Sequence, residues 1–428
     1  MASQVQSFAD FPEDVQLSII SFLLPAELSS FACTSRRSAS LCSSTALWNA
    51  MLNRRWGSKT LVRRWTATSA LPFRRLYKVL DAWDALLGFW RRIGQGTAAG
   101  TPPLVFFEFG TSFISGSCVY PSPDAGSYAV VKSPFLWLGL ASHGEPVSFR
   151  FEFPEDASKS TTDSGVSESD LVPVNVSFVG SKHFVVEENR SFYAESPDTE
   201  ILGTSPPDQL MSEIYQHFAN RTSPGGDRAS RRQRQRKRRE RERLGRMRWE
   251  AEHFVKIGSF GPTPSRPLQG LWKGICEDMR LDFFLVTYDD IGGITCRRVG
   301  DSGEPFSSYS PVFWTSNTTF IEPPFSREEQ DIYESREHIR PVAMDRTDKH
   351  MEVVSRILCI NSSYDLVLPD LSGSSGDPRN VEGRIWEYKD GTFGFGFLRN
   401  NSIIDLKHIT LNGRILDTVE HCSNASSS

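Results

Sequence analysis

Residues 11–56 read FPEDVQLSIISFLLPAELSSFACTSRRSASLCSSTALWNAMLNRRW, and the spacing of the apolar positions in that stretch decides how the chain begins. Pro12 suits the first position of a helix, and Glu13 and Asp14 follow in the first turn, where the helix dipole favours acids. Val15, Ile19 and Phe22 then form one apolar stripe while Leu17, Ile20 and Leu24 form another, which is more than a helix resting on a core by a single face needs. One face can pack inward and the other can meet a partner. Pro25 restarts the chain, Leu28, Phe31 and Ala32 give the next stripe, and Leu47, Trp48, Met51, Leu52 and Trp56 give a third that closes at Gly57, a residue suited to a helix C-terminus. About fifty residues bury little surface by themselves, so this helical unit is expected to lean on something else.

The order of these positions resembles the F-box. Phe11-Pro12-Glu13-Asp14-Val15, Leu17, Ile20, Phe22 to Leu24, Pro25, Leu28, the run Cys33-Thr34-Ser35-Arg36, Leu41 and Leu47-Trp48 stand in the family's sequence. Phe11 occupies a position where Leu is usual and Thr34 falls between Cys33 and Ser35, both mild departures. The resemblance implies a three-helix F-box over residues 7–57 that docks on a Skp-type adaptor and through it on a cullin. It also implies that Phe11, Pro12, Leu17, Ile20, Leu24, Leu28, Leu47 and Trp48 carry the adaptor contact, and that the remaining chain recognises a target protein.

The net charge of −4 over 428 residues is an average of two unlike parts. Residues 228–248 hold twelve Arg and Lys against Glu240 and Glu242, a local charge of +10 that leaves about −14 for the rest. The tract follows Ser223-Pro224-Gly225-Gly226 and is too polar all round to enter a core. It is expected to be a solvated helix or disordered. Three roles compete for it: a nuclear import signal centred on Arg231, Arg232, Arg234, Arg236, Lys237, Arg238 and Arg239, a patch for nucleic acid or another anionic surface, and a charged spacer. Neither flank adds the interleaved aromatics that base stacking needs, so nucleic acid is the weakest of the three. The seven Cys show no C-x-x-C pair and no metal-ligand spacing, which suits reduced thiols in the nucleus and cytoplasm and argues against zinc. No basic and then apolar leader begins the sequence, and no run of about twenty apolar residues occurs, so neither secretion nor a membrane partner is expected.

Pro72 opens a helical connector, 58–83, with Phe73, Leu76, Tyr77, Leu80 and Trp83 at helical spacing. Beyond it the period changes to two. Strands are expected at 104–109, 113–120, 135–140, 146–153 and 174–179, then at 268–276, 279–288, 294–299, 353–360, 383–388 and 392–399, with Asp390-Gly391 as the hairpin turn between the last two. The Ser/Thr-rich acidic stretches 154–170 and 191–207 read as loops. An internal echo links the two halves: Gly88-Phe89-Trp90 recurs as Gly270-Leu271-Trp272, each followed by a double Phe, Phe106-Phe107 and Phe283-Phe284, and then by a Cys-bearing strand at Cys118 and Cys296. A Gly-x-Trp opening is found at the base of lipocalin-like barrels. Closure would also remove edges that Phe-rich strands would otherwise expose.

The expected fold is therefore α+β: the F-box, then a mainly antiparallel β-barrel-like, lipocalin-like domain over 84–409, split by a basic insertion at 195–255 and followed by a tail at 410–428, with a two-sheet sandwich as the alternative. The arrangement is also similar, in scattered segments within 80–410, to the family of F-box-only protein thirty-one, whose barrel-like domain receives substrates for a ubiquitin ligase. No Gly-x-Ser-x-Gly, Walker loop, His-Glu-x-x-His or dinucleotide fingerprint is present, so no catalytic residue, cofactor or metal is indicated. Three functions are weighed: a ligase substrate receptor, a barrel that holds a small molecule in its mouth, and an RNA-associated protein acting through the Arg tract.

Overall fold

The computed structural model describes residues 7–68, 71–93, 104–141, 143–151, 171–189, 251–257, 261–289, 292–299, 311–341, 353–363, 380–411 and 413–419. The Arg tract and its Arg231 to Arg239 core lie outside these residues. Four helices occupy the F-box stretch: α1 (Glu13–Ile20), α2 (Pro25–Ala32), α3 (Arg36–Ser43) and α4 (Thr45–Trp56). Pro12 stands just ahead of α1 and its carbonyl accepts the Gln16 N–H at 3.0 Å. Pro25 occupies the first turn of α2, where Glu27 reaches back to the Leu24 N–H at 2.7 Å. The helices number four rather than three because Ser35 caps a new one: its hydroxyl accepts the Ser38 N–H at 3.0 Å and separates α3 from α2. The connector contains α5 (Val62–Thr68) and α6 (Phe73–Asp84).

The strands fall into two nine-stranded sheets. The first takes β1 (Gly88–Ile93), β2 (Leu104–Phe109), β3 (Ile114–Pro121), β4 (Val130–Leu140), β5 (Pro146–Phe151), β6 (Leu171–Phe178), β7 (His183–Glu188) and β8 (Glu252–Lys256). Each lies beside its neighbour in sequence, and β8 returns to pair with β1, Trp90 opposite Lys256. The second takes β9 (Gly270–Ile275), β10 (Leu281–Tyr288), β11 (Ile294–Arg298), β12 (Phe313–Thr315), β14 (Val354–Ser363), β15 (Asn380–Tyr388), β16 (Phe393–Phe397) and β17 (Ser402–His408). These eight pair antiparallel and close into a ring where β17 meets β9, Leu406 opposite Gly274. Each eight-stranded ring carries one added parallel strand: β20 (Thr418–Val419) on β4, and β13 (Glu337–Ile339) on β17. A small hairpin, β18 (Thr410–Leu411) with β19 (Arg414–Ile415), precedes β20.

The chain after the helices is thus mainly antiparallel and barrel-like, as its alternation indicates, but the strands make two closed rings where one split barrel was expected. The echo between the halves marks the start of each ring. Gly88 and Gly270 both hold φ values open to glycine, +102° and +137°, and both Trp90 and Trp272 are fully buried. The insertion ends earlier than 255, since β8 begins at Glu252, and the range 410–428 carries three short strands where a tail was expected. The Asp390-Gly391 turn is present, with Gly391 at φ +84° and Asp390 accepting the Thr392 N–H at 2.9 Å.

Packing divides the chain into two compact units. The first comprises described residues of 1–87, 107–116 and 134–251. Here the helices are tied to the β2–β3 turn: the Thr60 hydroxyl donates to the Gly110 and Thr111 carbonyls at 2.7 and 2.9 Å and accepts the Trp65 indole N–H at 2.9 Å. Trp56 donates to Asp84 at 3.1 Å, closing α4 on α6.

The second unit comprises described residues of 88–106, 117–133 and 252–428. One core, with Trp272, Phe284, Cys296, Phe313, Leu358, Ile385, Phe395 and Leu406, draws on all eight strands of the second ring and so fills its interior. A second core packs Phe89, Phe106, Val119 and Val130 against Leu281, Phe283 and Ile409. A third covers Trp386, Tyr388 and Ile403 on the ring's outer face with Ile332 and Tyr333 of α7 (Arg327–Glu334). Two buried polar groups punctuate this unit. Lys273, fully buried, donates to the Tyr128 and Leu416 carbonyls at 2.9 and 3.1 Å and pairs with Asp417 at 2.8 Å, which fastens the segment before β20. Asp405 accepts from Tyr388 at 2.7 Å, lies 2.9 Å from His338 Nδ1 and pairs with Arg340 at 2.5 Å, anchoring β13. Burial pushes the Asp405 carboxyl up, but hydrogen bonding and charge from His338, with the Arg340 charge and the Tyr388 hydroxyl, outweigh it and hold the group below the usual carboxylate range.

Candidate adaptor-docking surface

The eight residues expected to meet the adaptor divide by burial. Ile20, Leu28, Leu47 and Trp48 lie inside the helical unit, with Leu47 fully buried. Trp48 is fixed there by its indole N–H, which donates to the Cys42 carbonyl at 2.9 Å, and by an edge contact with Tyr77, ring centroids 5.4 Å apart. Phe11 and Leu17 are half-buried, Pro12 is exposed, and Leu24 is 64% exposed. The first four position the surface by packing; the others can reach a partner.

Beside Leu24 the structure exposes the first stripe of α1. Val15 is 36% exposed, Ile19 46% and Phe22, just past the helix, 72%. Pro12 sits on the turn that starts this helix and Leu24 on the turn that ends it, so one continuous stretch of chain presents five apolar side chains to water. A cluster of this kind on a small domain marks an interaction site. The inward side of α1 is a mixed one: Ile20 of the second stripe is turned into the core while Leu17 is half-buried and Leu24 exposed, and Gln16, fully buried, donates to the carbonyls of Phe8 and Phe11 at 3.0 and 2.8 Å. Those bonds lock the N-terminal turn onto α1 and hold Phe11 and Pro12 in place. At the other end Arg54 of α4 donates to the Ser21 hydroxyl at 3.0 Å and to the Ser21 carbonyl, while its guanidinium lies 4.5 Å over the Phe22 ring. The loop carrying Phe22 is therefore held open and oriented rather than collapsed on the core. Gly57 ends α4 where a Cβ would come within 2.3 Å of the Asn53 carbonyl oxygen.

Val15, Ile19 and Phe22 were absent from the sequence-derived contact set, which followed motif order. The signal that could have found them is the doubled stripe itself: a helix of eight residues with two apolar faces must leave one of them outside. The arrangement offers hydrophobic docking, with no titratable group whose protonation would be needed for it.

An F-box-like family model matches residues 8–54, the stretch that carries this surface. The chain belongs to the F-box proteins. It is similar over almost its whole length to the F-box protein At3g12350 of Arabidopsis thaliana, with 46% identity over 438 aligned residues that cover 99% of this chain and 100% of the relative. F-box proteins are generally adaptor-type subunits, and their F-box domains generally bind Skp1-type adaptors. No described helix is long and apolar enough to cross a membrane.

Proposed function

We propose that this F-box protein is the substrate-recognition subunit of an SCF-type ubiquitin ligase, of the F-box-only protein thirty-one type. A Skp-type adaptor docks on the α1–α2 surface, a cullin joins through the adaptor, and the β domain over 84–409 holds a target protein. The chain is non-catalytic and works by bringing the target to the conjugating machinery, in the nucleus and cytoplasm, with the Arg tract as the import address. The observation that supports this most directly is the exposed apolar set Pro12, Val15, Ile19, Phe22 and Leu24 on helices whose interior is already complete. The small-molecule reading is less well supported, because the interior of the second ring is occupied by its own aromatic and aliphatic side chains.

The reading is tested by purifying the full chain from cells and asking for a Skp-type adaptor and a cullin in the complex. Replacing both Pro12 and Leu17 by Ala should strip the adaptor while the β strands stay folded, since each truncation removes contact worth roughly 1–3 kcal/mol. Undiminished adaptor in the double variant defeats the assignment.

A further inference from the structure

The strand Phe393-Gly394-Phe395-Gly396-Phe397, β16, has two faces of opposite kind. Its Phe side chains enter the interior of the second ring, so by strand alternation both Gly stand on the outer face. A Cβ on Gly394 would lie 2.5 Å from the Tyr388 hydroxyl and 2.8 Å from Asp405 Oδ1, and one on Gly396 would lie 3.3 Å from the Trp386 ring. Side chains of β15 and β17 thus lean together over bare backbone, which lets Tyr388 reach Asp405 across the strand between them. The result is an outer patch on which an indole, Trp386, and a buried carboxylate, Asp405, flank Gly394.

The chain covers this patch with its own residues 327–340. Along one side of β17, Leu406 to His408 pair with β9 while Ser402 to Ile404 pair with β13. The seam therefore has a place for one parallel strand, and β13 lies in it. Arg336, His338 and Arg340 alternate along the covering segment and turn to the patch: the Arg336 guanidinium lies 5.9 Å over the Trp386 ring, and His338 and Arg340 meet Asp405 at 2.9 and 2.5 Å. The cover itself is slight, since α7 has no buried residue and β13 spans only Glu337–Ile339.

Its fit is good at one end and poor at the other. At Asp405 opposite charges meet. At Trp386 two donors meet: neither the fully buried indole N–H nor the Arg336 Nε–H has an acceptor among the described residues, and a buried donor without a partner carries the whole cost of its lost hydration. Burial and the nearby Arg384 charge also push the Arg336 guanidinium below its usual value. A side chain with an acceptor oxygen in place of Arg336 removes both defects.

We propose that this patch is a binding site for an extended segment of a target polypeptide in which an acceptor-bearing side chain precedes an arginine by four positions, and that residues 336–340 are the chain's own, weaker occupant. The target segment replaces β13 by main-chain pairing to Ser402–Ile404. Its arginine takes Asp405 and its acceptor takes the Trp386 N–H. This gives the substrate-receptor reading a recognition chemistry and rests on it.

The test measures fluorescence anisotropy of labelled synthetic peptides of residues 334–341 with the purified full chain. A Glu337→Pro form of the chain is run beside it, because proline deletes the N–H that Glu337 donates to the Asn401 carbonyl at 2.9 Å and loosens β13 without altering Trp386 or Asp405. The peptide carrying Arg336→Gln should bind about tenfold tighter than the unaltered one, the worth of one buried donor regaining an acceptor. Arg340→Ala in the peptide should abolish binding, and Glu337→Pro in the chain should strengthen every peptide that binds. Saturating peptide should also speed hydrogen exchange at the amides of α7 and β13, which displacement frees and binding elsewhere does not. Peptides that bind neither form of the chain, that are indifferent to Arg336→Gln and Arg340→Ala, or that leave exchange at α7 and β13 unchanged overturn the proposal. Adaptor binding, measured separately on the same preparation, reports on the ligase reading alone, so either can fail without the other.

Discussion

Replacing Phe22 and Leu24 together by Ala separates docking from folding. Burying a whole Phe or Leu side chain is worth roughly 1.5–3 kcal/mol. With Phe22 72% and Leu24 64% exposed, the pair holds about 2–4 kcal/mol of unrealised burial. Covered by an adaptor, that corresponds to about 30- to 800-fold in Kd. The assay is calorimetric titration of the purified chain with a Skp-type adaptor, alongside thermal unfolding of the same samples. Affinity should fall by that range while the melting midpoint stays close to wild type, because exposed substitutions usually change stability by about 0.5 kcal/mol or less. Trp48→Ala provides the contrast: its side chain is buried and bonded to Cys42, so the loss should be about 3–5 kcal/mol of stability, with binding lost only through unfolding. A double variant that binds within threefold of wild type, or that melts as Trp48→Ala does, refutes the division of the F-box into an inner and an outer apolar face.

Further outcomes follow from other parts of the molecule. Asp405→Asn should cost about 3–5 kcal/mol in urea unfolding at pH 7, since it leaves Arg340 and His338 facing a neutral group. Because the folded carboxyl titrates below its unfolded value near 4, its contribution is complete above that value and fades as pH falls through the lower folded one. The gap between wild type and variant should therefore close on acidification below about pH 4. Lys273→Met leaves the Tyr128 and Leu416 carbonyls without their donor, a loss of about 1–3 kcal/mol for each that stays dry, and hydrogen exchange should show the 416–419 segment released first. Proteolysis within 195–245 should nick the chain into fragments that still co-elute in size-exclusion chromatography; separated, independently folded fragments would show that 84–409 is not one domain. Deleting residues 231–243 should lower the nuclear fraction in fractionated cells without moving the melting midpoint, and a destabilised protein would mean that the tract is packed.

What could be read from sequence was local. The start of α1, the restart at Pro25, the helix after Pro72 and the Asp390-Gly391 hairpin each depend on a few neighbouring residues with one strong conformational preference. The Gly-x-Trp openings were visible for the same reason, yet what they open was not: whether two echoing halves share one ring or form two is decided by which strands meet after more than a hundred residues, as when Leu406 returns to Gly274. Strands such as β7, β8 and β17 escaped because Glu, His and Lys interrupt their alternation, and they are held by neighbours rather than by their own pattern. At the docking surface the motif named Ile20, Leu28, Leu47 and Trp48, which the core uses. Phe22 stood in the motif but not among the expected contacts, and the Arg54 guanidinium that lies over its ring comes thirty-two positions later.

The first ring also sets a timetable. Trp90 of β1 has to wait for Lys256 of β8 before its strand is paired on that side, and at about 5–20 residues per second of synthesis that is a delay of roughly 8–30 s. The second ring keeps a shorter appointment, from Gly274 to Leu406. During the first interval β1 stands as an open edge beside the Phe-rich β2, next to a chain end still being made, and such an edge pairs with whatever strand it meets. Translation that stops anywhere between the two partners leaves that edge permanently open. A ribosome-bound chaperone, or simply the speed at which codons 94–251 are read, would then govern how much of this protein reaches its folded state.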